Sequence, residues 1–181
     1  AYRRTSEMNV LLDQLFYVSK LETGNMPLHI ENIDPVSFIK SYAAAKQEIL
    51  EEEGIEISAE TGGCAGTAAA DPQQLQRVFD NLLENSRKYA ETVPLKIKLA
   101  LSITEKGYCI HFSDNGVGVP EEKLDAVFDE FYRADESRNK QEGNGLGLYI
   151  VRYLIEAMGG RVRAENAGGF VVSMELRKGE S

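Results

Sequence analysis

Two glycine runs in fixed order limit what this chain can fold into more than any other feature. They are Asp114-Asn115-Gly116-Val117-Gly118 and, about thirty residues on, Gly143-Asn144-Gly145-Leu146-Gly147-Leu148. Either run alone marks only a turn. As a pair they ask for more. A buried carboxylate beside two glycines can read the edge of a base, and a glycine run that opens a helix can approach phosphates. Apolar, strand- or helix-like segments flank both runs, so a packed scaffold can hold them. The pair points to a nucleotide site.

Length and charge exclude other classes. At 181 residues the chain suits one domain with a short appendage. Its net charge of −9 argues against a nucleic-acid surface as its main business. No apolar run approaches the ~20 residues of a membrane span, and no signal peptide opens the chain. Cys64 and Cys109 stand apart, without metal-ligand spacing or a disulfide framework, which fits a reducing compartment. The expectation is a soluble, cytosolic piece with no nucleic-acid partner.

Met8, Leu11, Leu15 and Val18 recur at three- and four-residue steps, a narrow helical stripe that Gly24, Asn25 and Pro27 end. It suits either a helix packed on its own domain or one arm of a helical hairpin whose partner lies upstream. Residues 28–33 read as extended. Asp34-Pro35 and Asp71-Pro72 each give a cap followed by proline at the first helical turn, starting helices over about 35–50 and 72–89. Short extended runs at 55–58 and 67–70 lie between them. Residues 95–103 and 108–113 read as a hairpin, and a short helix follows Pro120. Residues 135–144 form a polar loop, expected to be mobile or ordered by ligand. A helix over 145–158 ends at Gly159-Gly160, and strands at 162–164 and 170–176 close the chain. The expected fold is a two-layer α/β sandwich, helices and antiparallel strands on one sheet.

The helix over 72–89 carries the chemistry. Leu75, Val78, Phe79, Leu82 and Ser86 share one face, and Asn81, Asn85 and Lys88 form a second stripe at i, i+4 and i+7. Two amides and an ammonium in a row offer acceptors to a hydrated cation and a donor to phosphate oxygens. Glu84 falls on another side, facing solvent.

Asn81-Leu82-Leu83-Glu84-Asn85-Ser86-Arg87-Lys88-Tyr89, Asp114-Asn115-Gly116-Val117-Gly118, Phe128-Asp129-Glu130-Phe131-Tyr132-Arg133 and the second glycine run resemble, in order, the N, G1, F and G2 boxes of sensor histidine kinases. The match covers about residues 28–176. The stripe from Met8 to Val18, with Ser19-Lys20-Leu21-Glu22, resembles the end of the second dimerisation helix. The resemblance implies the Bergerat ATP-binding fold: a mixed sheet covered by about three helices and preceded by one. Residues 1–26 would then belong to the dimerisation and phosphoacceptor hairpin, and 27–181 to the catalytic ATP-binding domain.

It also implies roles. Asp114 would accept from the adenine amino group, Gly116 and Gly118 would let the backbone lie close to the base, and Val119 would sit beside it. Asn85 would ligate Mg2+ with Asn81 as its helper, Lys88 would contact phosphate, and Tyr89 would line the pocket. Gly143, Gly145 and Gly147 would hinge a lid, with Leu146 and Leu148 anchoring the helix that follows. Arg133 would meet the γ-phosphate, with Arg138 as a second candidate. Phe128 and Phe131 suit core as well as site. Arg87 competes with Lys88 for the phosphates, and helical geometry favours Lys88. Gly168-Gly169-Phe170-Val171-Val172 lacks the small hydroxyl residue that many relatives place after this run.

Phosphoryl transfer needs positioning and charge neutralisation. In the family's ATPase cousins a Glu at the position of Asn81 activates water; an amide is no base. The acceptor is therefore expected to be a protein histidine. Neither His29 nor His111 fits, because both fall in extended segments and neither is followed by an acidic residue. The resemblance thus implies a fragment of a homodimeric, membrane-anchored receptor. Its cytoplasmic domain would use ATP and Mg2+, a phosphoacceptor helix in cis or trans, and a response regulator. The competing readings are a hydrolysing ATPase switch, which would need Glu at position 81, and a non-catalytic signalling module, which would have lost Asp114, Asn85 or the glycines.

Overall fold

Two Asp-Pro pairs start the helices on which the molecule is organised. In the computed structural model, which describes residues 2–132 and 145–180, α1 spans Tyr2–Glu22, α2 Pro35–Glu52, α3 Pro72–Tyr89 and α4 Gly147–Ala157. Asp34 accepts from the N–H groups of Val36 (2.9 Å) and Ser37 (3.3 Å), free donors that a first turn would otherwise leave unpaired. The Ser37 hydroxyl and N–H hold its carboxyl below the usual range. Asp71 repeats the device in the interior. It is buried, caps α3 through the N–H groups of Gln73 (3.0 Å) and Gln74 (3.1 Å), and takes the N–H of His29 (2.9 Å) on its other oxygen. Asp71→Ala leaves three N–H groups without that acceptor. We expect a loss of about 2 kcal/mol in urea unfolding; a loss below about 0.5 kcal/mol would deny the cap its role.

The strands are β1 (Glu31–Ile33), β2 (Ile55–Glu60), β3 (Ala68–Ala70), β4 (Leu95–Thr104), β5 (Gly107–Asp114), β6 (Arg161–Asn166) and β7 (Phe170–Arg177). Five of them form one sheet in the order β2-β4-β5-β7-β6. Only β2 and β4 run parallel, as a connection through α3 allows. Along β4, Leu95, Ile97, Leu99 and Leu101 turn inward while Lys96 and Lys98 face water and pair with Glu56 (3.0 Å) and Glu60 (2.7 Å) of β2. Helices α2, α3 and α4 cover the apolar face, so the two-layer α/β sandwich and mixed sheet stand as expected. Phe79 of α3 sits at the centre with no exposed surface, edge-on to Phe38, Tyr42 and Phe112.

Four expectations are corrected. The strands are not all antiparallel, because β2 and β4 pair in parallel. β1 and β3 do not join the main sheet; they pair antiparallel with each other, and a lone bridge from Ala68 to Lys178 ties them to the chain after β7. His29 lies in the loop before β1, not in a strand. Helix α4 starts at Gly147, two residues late, because Gly145 has φ +70°, which no right-handed helix accepts.

The stripe on α1 divides between two surroundings. Leu11 and Leu15 pack against the core and Val18 is buried in it, whereas Met8 is 60% exposed. Tyr17, Val18 and Leu21 join the core beneath α3 and α4. The Tyr17 hydroxyl donates to Gln74 (2.6 Å), the Tyr153 hydroxyl to the Leu21 carbonyl (2.7 Å), and the Tyr149 hydroxyl to Glu22 (2.7 Å). The bond to Glu22 helps push the Tyr149 hydroxyl up to about 12. Met8, Leu12 and Phe16 form a separate exposed apolar row at four-residue steps. Among the described residues no helix is long and apolar enough to cross a membrane.

Candidate nucleotide-binding site

The buried face of α3 is apolar from Leu75 to Leu83 and then presents one hydroxyl, Ser86. β5 ends opposite it at Asp114, which is only 7% exposed. Ser86 donates to Asp114 Oδ2 at 2.6 Å, and Oδ1 takes the N–H groups of Gly116 (2.9 Å) and Phe170 (3.2 Å). An ionised carboxylate offers about four acceptor positions. Three are filled from within the fold, so Asp114 is held in one orientation with capacity for one further donor.

The turn after Asp114 is packed tightly against the end of α3 and the side chain of Asn166. A Cβ on Gly116 would lie 2.5 Å from Ala90 Cα, so only glycine lets this backbone run against the end of α3. The Val117 N–H then bonds the Ala90 carbonyl (3.0 Å). Asn115 fastens the turn to the start of β4 by accepting from the Lys96 N–H (2.7 Å) and donating to the Pro94 carbonyl (3.1 Å). Beyond Gly118, Asn166 grips Val119 on both sides, accepting from its N–H (3.1 Å) and donating to its carbonyl (2.6 Å).

The other end of the site lies one turn back along α3. Asn81 Nδ2 donates to the Arg77 carbonyl (2.9 Å), and its Oδ1 lies 3.5 Å from where a Cβ on Gly147 would stand. The N-terminus of α4 is thus brought beside the amide stripe, anchored by fully buried Leu146 and half-buried Leu148. Asn85 is half-buried and Tyr89 exposed. Lys88 pairs with Glu84 (3.2 Å), while Arg87 bonds Glu84 (3.5 Å) and Glu53. Glu84 is exposed, as its helical position requires, but it holds both cations.

The structure therefore brings together Asp114, Gly116, Gly118 and Val119 at one end, and Asn81, Gly147 and Leu146 at the other. Arg133, Arg138 and Gly143 lie outside the described residues, as does the loop 135–144. Phe128 is core and Phe131 is 55% exposed. Sequence reasoning missed Ser86 as the partner of Asp114, and it missed Asn115, Asn166 and the Phe170 N–H altogether. A lone hydroxyl on an otherwise apolar buried stripe was the one available signal.

A carboxylate fixed at a strand end, amides along the facing helix and a glycine-led helix start under a mixed sheet define a Bergerat-type ATP-binding domain. The chain belongs to the family described as "Histidine kinase-, DNA gyrase B-, and HSP90-like ATPase", which matches residues 70–180. It is 33% identical over 95% of its length to the signal transduction histidine-protein kinase AfsQ2 of Streptomyces coelicolor. It is 30% identical over 91% to the sensor protein kinase WalK of Staphylococcus haemolyticus. It spans only 31% and 27% of those two proteins. The solved catalytic domain of histidine kinase ThkA, nucleotide-free, superposes with TM-score 0.71 at 25% identity, covering 83% of this chain and 97% of that one. Acinetobacter baumannii histidine kinase AdeS shares the fold, with TM-score 0.76 at 18% identity over 99% of this chain and 82% of that one. Within the family, the chain is thus an ATP-binding domain of the histidine kinase kind.

Proposed function

We propose that this chain is the catalytic part of a sensor histidine kinase. It would transfer the γ-phosphoryl group of magnesium-bound ATP to a histidine on a helix outside this sequence, for relay to a response regulator. Asn81 carries the reading. It sits beside the N-terminus of α4 as an amide, its nitrogen committed to the Arg77 carbonyl, and it cannot take a proton from water. The nearby Glu84 carboxylate is bound by Lys88 and Arg87.

The two histidines support an acceptor elsewhere. His29 is in a loop, and both ring nitrogens of His111 face serines, Ser173 (2.8 Å) and Ser102 (3.5 Å), on β7 and β4. The exposed row Met8, Leu12 and Phe16 supports assigning residues 1–26 to a dimerising helical hairpin ahead of a catalytic domain over 27–181; the whole protein would be a membrane-anchored homodimer with its kinase part in the cytoplasm.

Among the described residues no cluster of His, Cys, Asp and Glu could cage a metal. Mg2+ keeps waters and phosphate oxygens and needs few protein ligands; half-buried Asn85 of α3 would supply one. Bound there, the ion would neutralise phosphate charge. The chain's own residues fix the base through Asp114 and direct α4 N–H groups to the phosphates.

Asn85→Ala should weaken binding of a non-hydrolysable ATP analogue by about tenfold or more with magnesium and by less than about twofold without it. Equal losses in calorimetry under both conditions would remove Asn85 from the metal. The function itself is tested in the full-length protein: γ-labelled ATP should leave acid-labile, base-stable label on the polypeptide. Phosphate release without protein labelling would favour the ATPase switch.

A further inference from the structure

The nucleotide site has a direction along α3. Its base end is marked by Ser86 on Asp114, and its phosphate end by Asn81 beside Gly147, about 7.5 Å closer to the start of the helix. One more helical step the same way reaches Arg77. Arg77, Asn81, Asn85 and Lys88 fall at i, i+4, i+8 and i+11, a single stripe. Arg77 and Asn81 line the same groove of about 450 Å³, walled by Gln14 of α1 and Ile150 of α4 and lined also by the carboxylates Asp80 and Glu84, which are paired with Lys46 and with Arg87 and Lys88.

Arg77 differs from the other cations nearby. Arg87 and Lys88 on α3 and Arg152 on α4 each bind a carboxylate. No carboxylate among the described residues pairs with Arg77; its guanidinium instead stacks 3.7 Å from the ring centroid of Tyr17 on α1. A cation–π contact at a partly exposed site is weaker than charge-assisted bonds to phosphate oxygens, so the guanidinium has a better partner available beyond Asn81.

We propose that Arg77 is a contact for the terminal phosphate, held on the Tyr17 ring of α1 and passing to the outermost phosphoryl oxygens when a nucleoside triphosphate binds. This rests on the nucleotide reading above and extends it, because Arg77 approaches from α3 and not from the lid. It also makes α1 part of the site. The seat of Tyr17 on α3 sets whether the cation is stacked or free, so helix position and triphosphate affinity are linked.

The test compares Arg77→Gln, Arg77→Lys and Tyr17→Leu by calorimetry with magnesium, using a non-hydrolysable ATP analogue and ADP. Arg77→Gln should lose about tenfold in affinity for the analogue and less than about twofold for ADP, and Arg77→Lys should recover much of the loss. Tyr17→Leu removes the ring but keeps the cation, so the analogue should bind as well as to wild type or up to about threefold tighter. Equal losses for both nucleotides in Arg77→Gln, no loss for either, or a Tyr17→Leu variant that copies Arg77→Gln would overturn the proposal. The last result would make Arg77 merely the seat of α1. Wild-type protein that binds neither nucleotide would instead refute the nucleotide reading itself.

Discussion

Asp114→Asn should abolish adenine-nucleotide recognition while leaving the fold close to wild-type stability. Oδ1 is held by the N–H groups of Gly116 and Phe170, so an asparagine would place its carbonyl oxygen there. Its NH2 would then point where Oδ2 now stands, toward Ser86 and the base. The serine hydroxyl can reverse and accept. The exocyclic amino group of adenine cannot, and a donor would face a donor. Losing a charge-assisted bond and leaving a polar group opposed costs about 3 kcal/mol, more than a hundredfold in affinity. Calorimetry with the ATP analogue measures the loss, and urea unfolding should differ from wild type by less than about 1 kcal/mol. An Asp114→Asn protein that binds the analogue at wild-type affinity would remove Asp114 from base recognition.

Phe79→Ala should be the most damaging single change to stability. The ring is fully buried and meets Phe38 at 5.6 Å, Tyr42 at 5.0 Å and Phe112 at 6.2 Å between centroids, all edge-on. Phe38 and Tyr42 belong to α2, Phe79 to α3 and Phe112 to β5, so one side chain joins both layers. Removing it deletes the buried area and leaves a cavity that three elements would have to move together to fill. The expected cost is about 4 kcal/mol, a large part of the 5–15 kcal/mol by which a domain is ordinarily stable. The urea midpoint should fall steeply with little change in slope. A loss under about 1 kcal/mol would mean that the layers close over the gap.

The site and the core are built on the same helix, which explains how much was visible beforehand. α3 was legible because its signals are local: Asp71-Pro72 at the start, an apolar period of 3.6, and amides repeating on a neighbouring face. The glycine runs were legible for a similar reason, since Gly116 and Gly145 stand where a side chain would collide or strain the backbone. The late start of α4 was not, because a glycine adjoining a helical pattern reads equally as its first residue or as the turn before it.

Partners of the functional side chains were hidden. Ser86 and Asp114 are 28 residues apart, and Asn166 reaches 47 residues back to Val119. Water satisfies the same groups in the unfolded chain, so nothing in their local sequence declares a partner. The two faces of α1 were hidden likewise: Leu11 and Leu15 pack on the core while Leu12 and Phe16 do not, although all four are apolar.

What the sequence by itself determined was the set of elements, their caps, and the order of the glycine and amide motifs, because backbone preference and hydrophobic period act over a few residues. Packing alone decided that β1 and β3 stand apart from the main sheet, that Ser86 orients Asp114, and that Tyr17 of α1 lies on Arg77 beside Asn81. Those pairings join residues far apart in the chain. They form only when packing of the shared core brings both partners together, and for buried Ser86 and Asp114 it also removes the water that satisfied them.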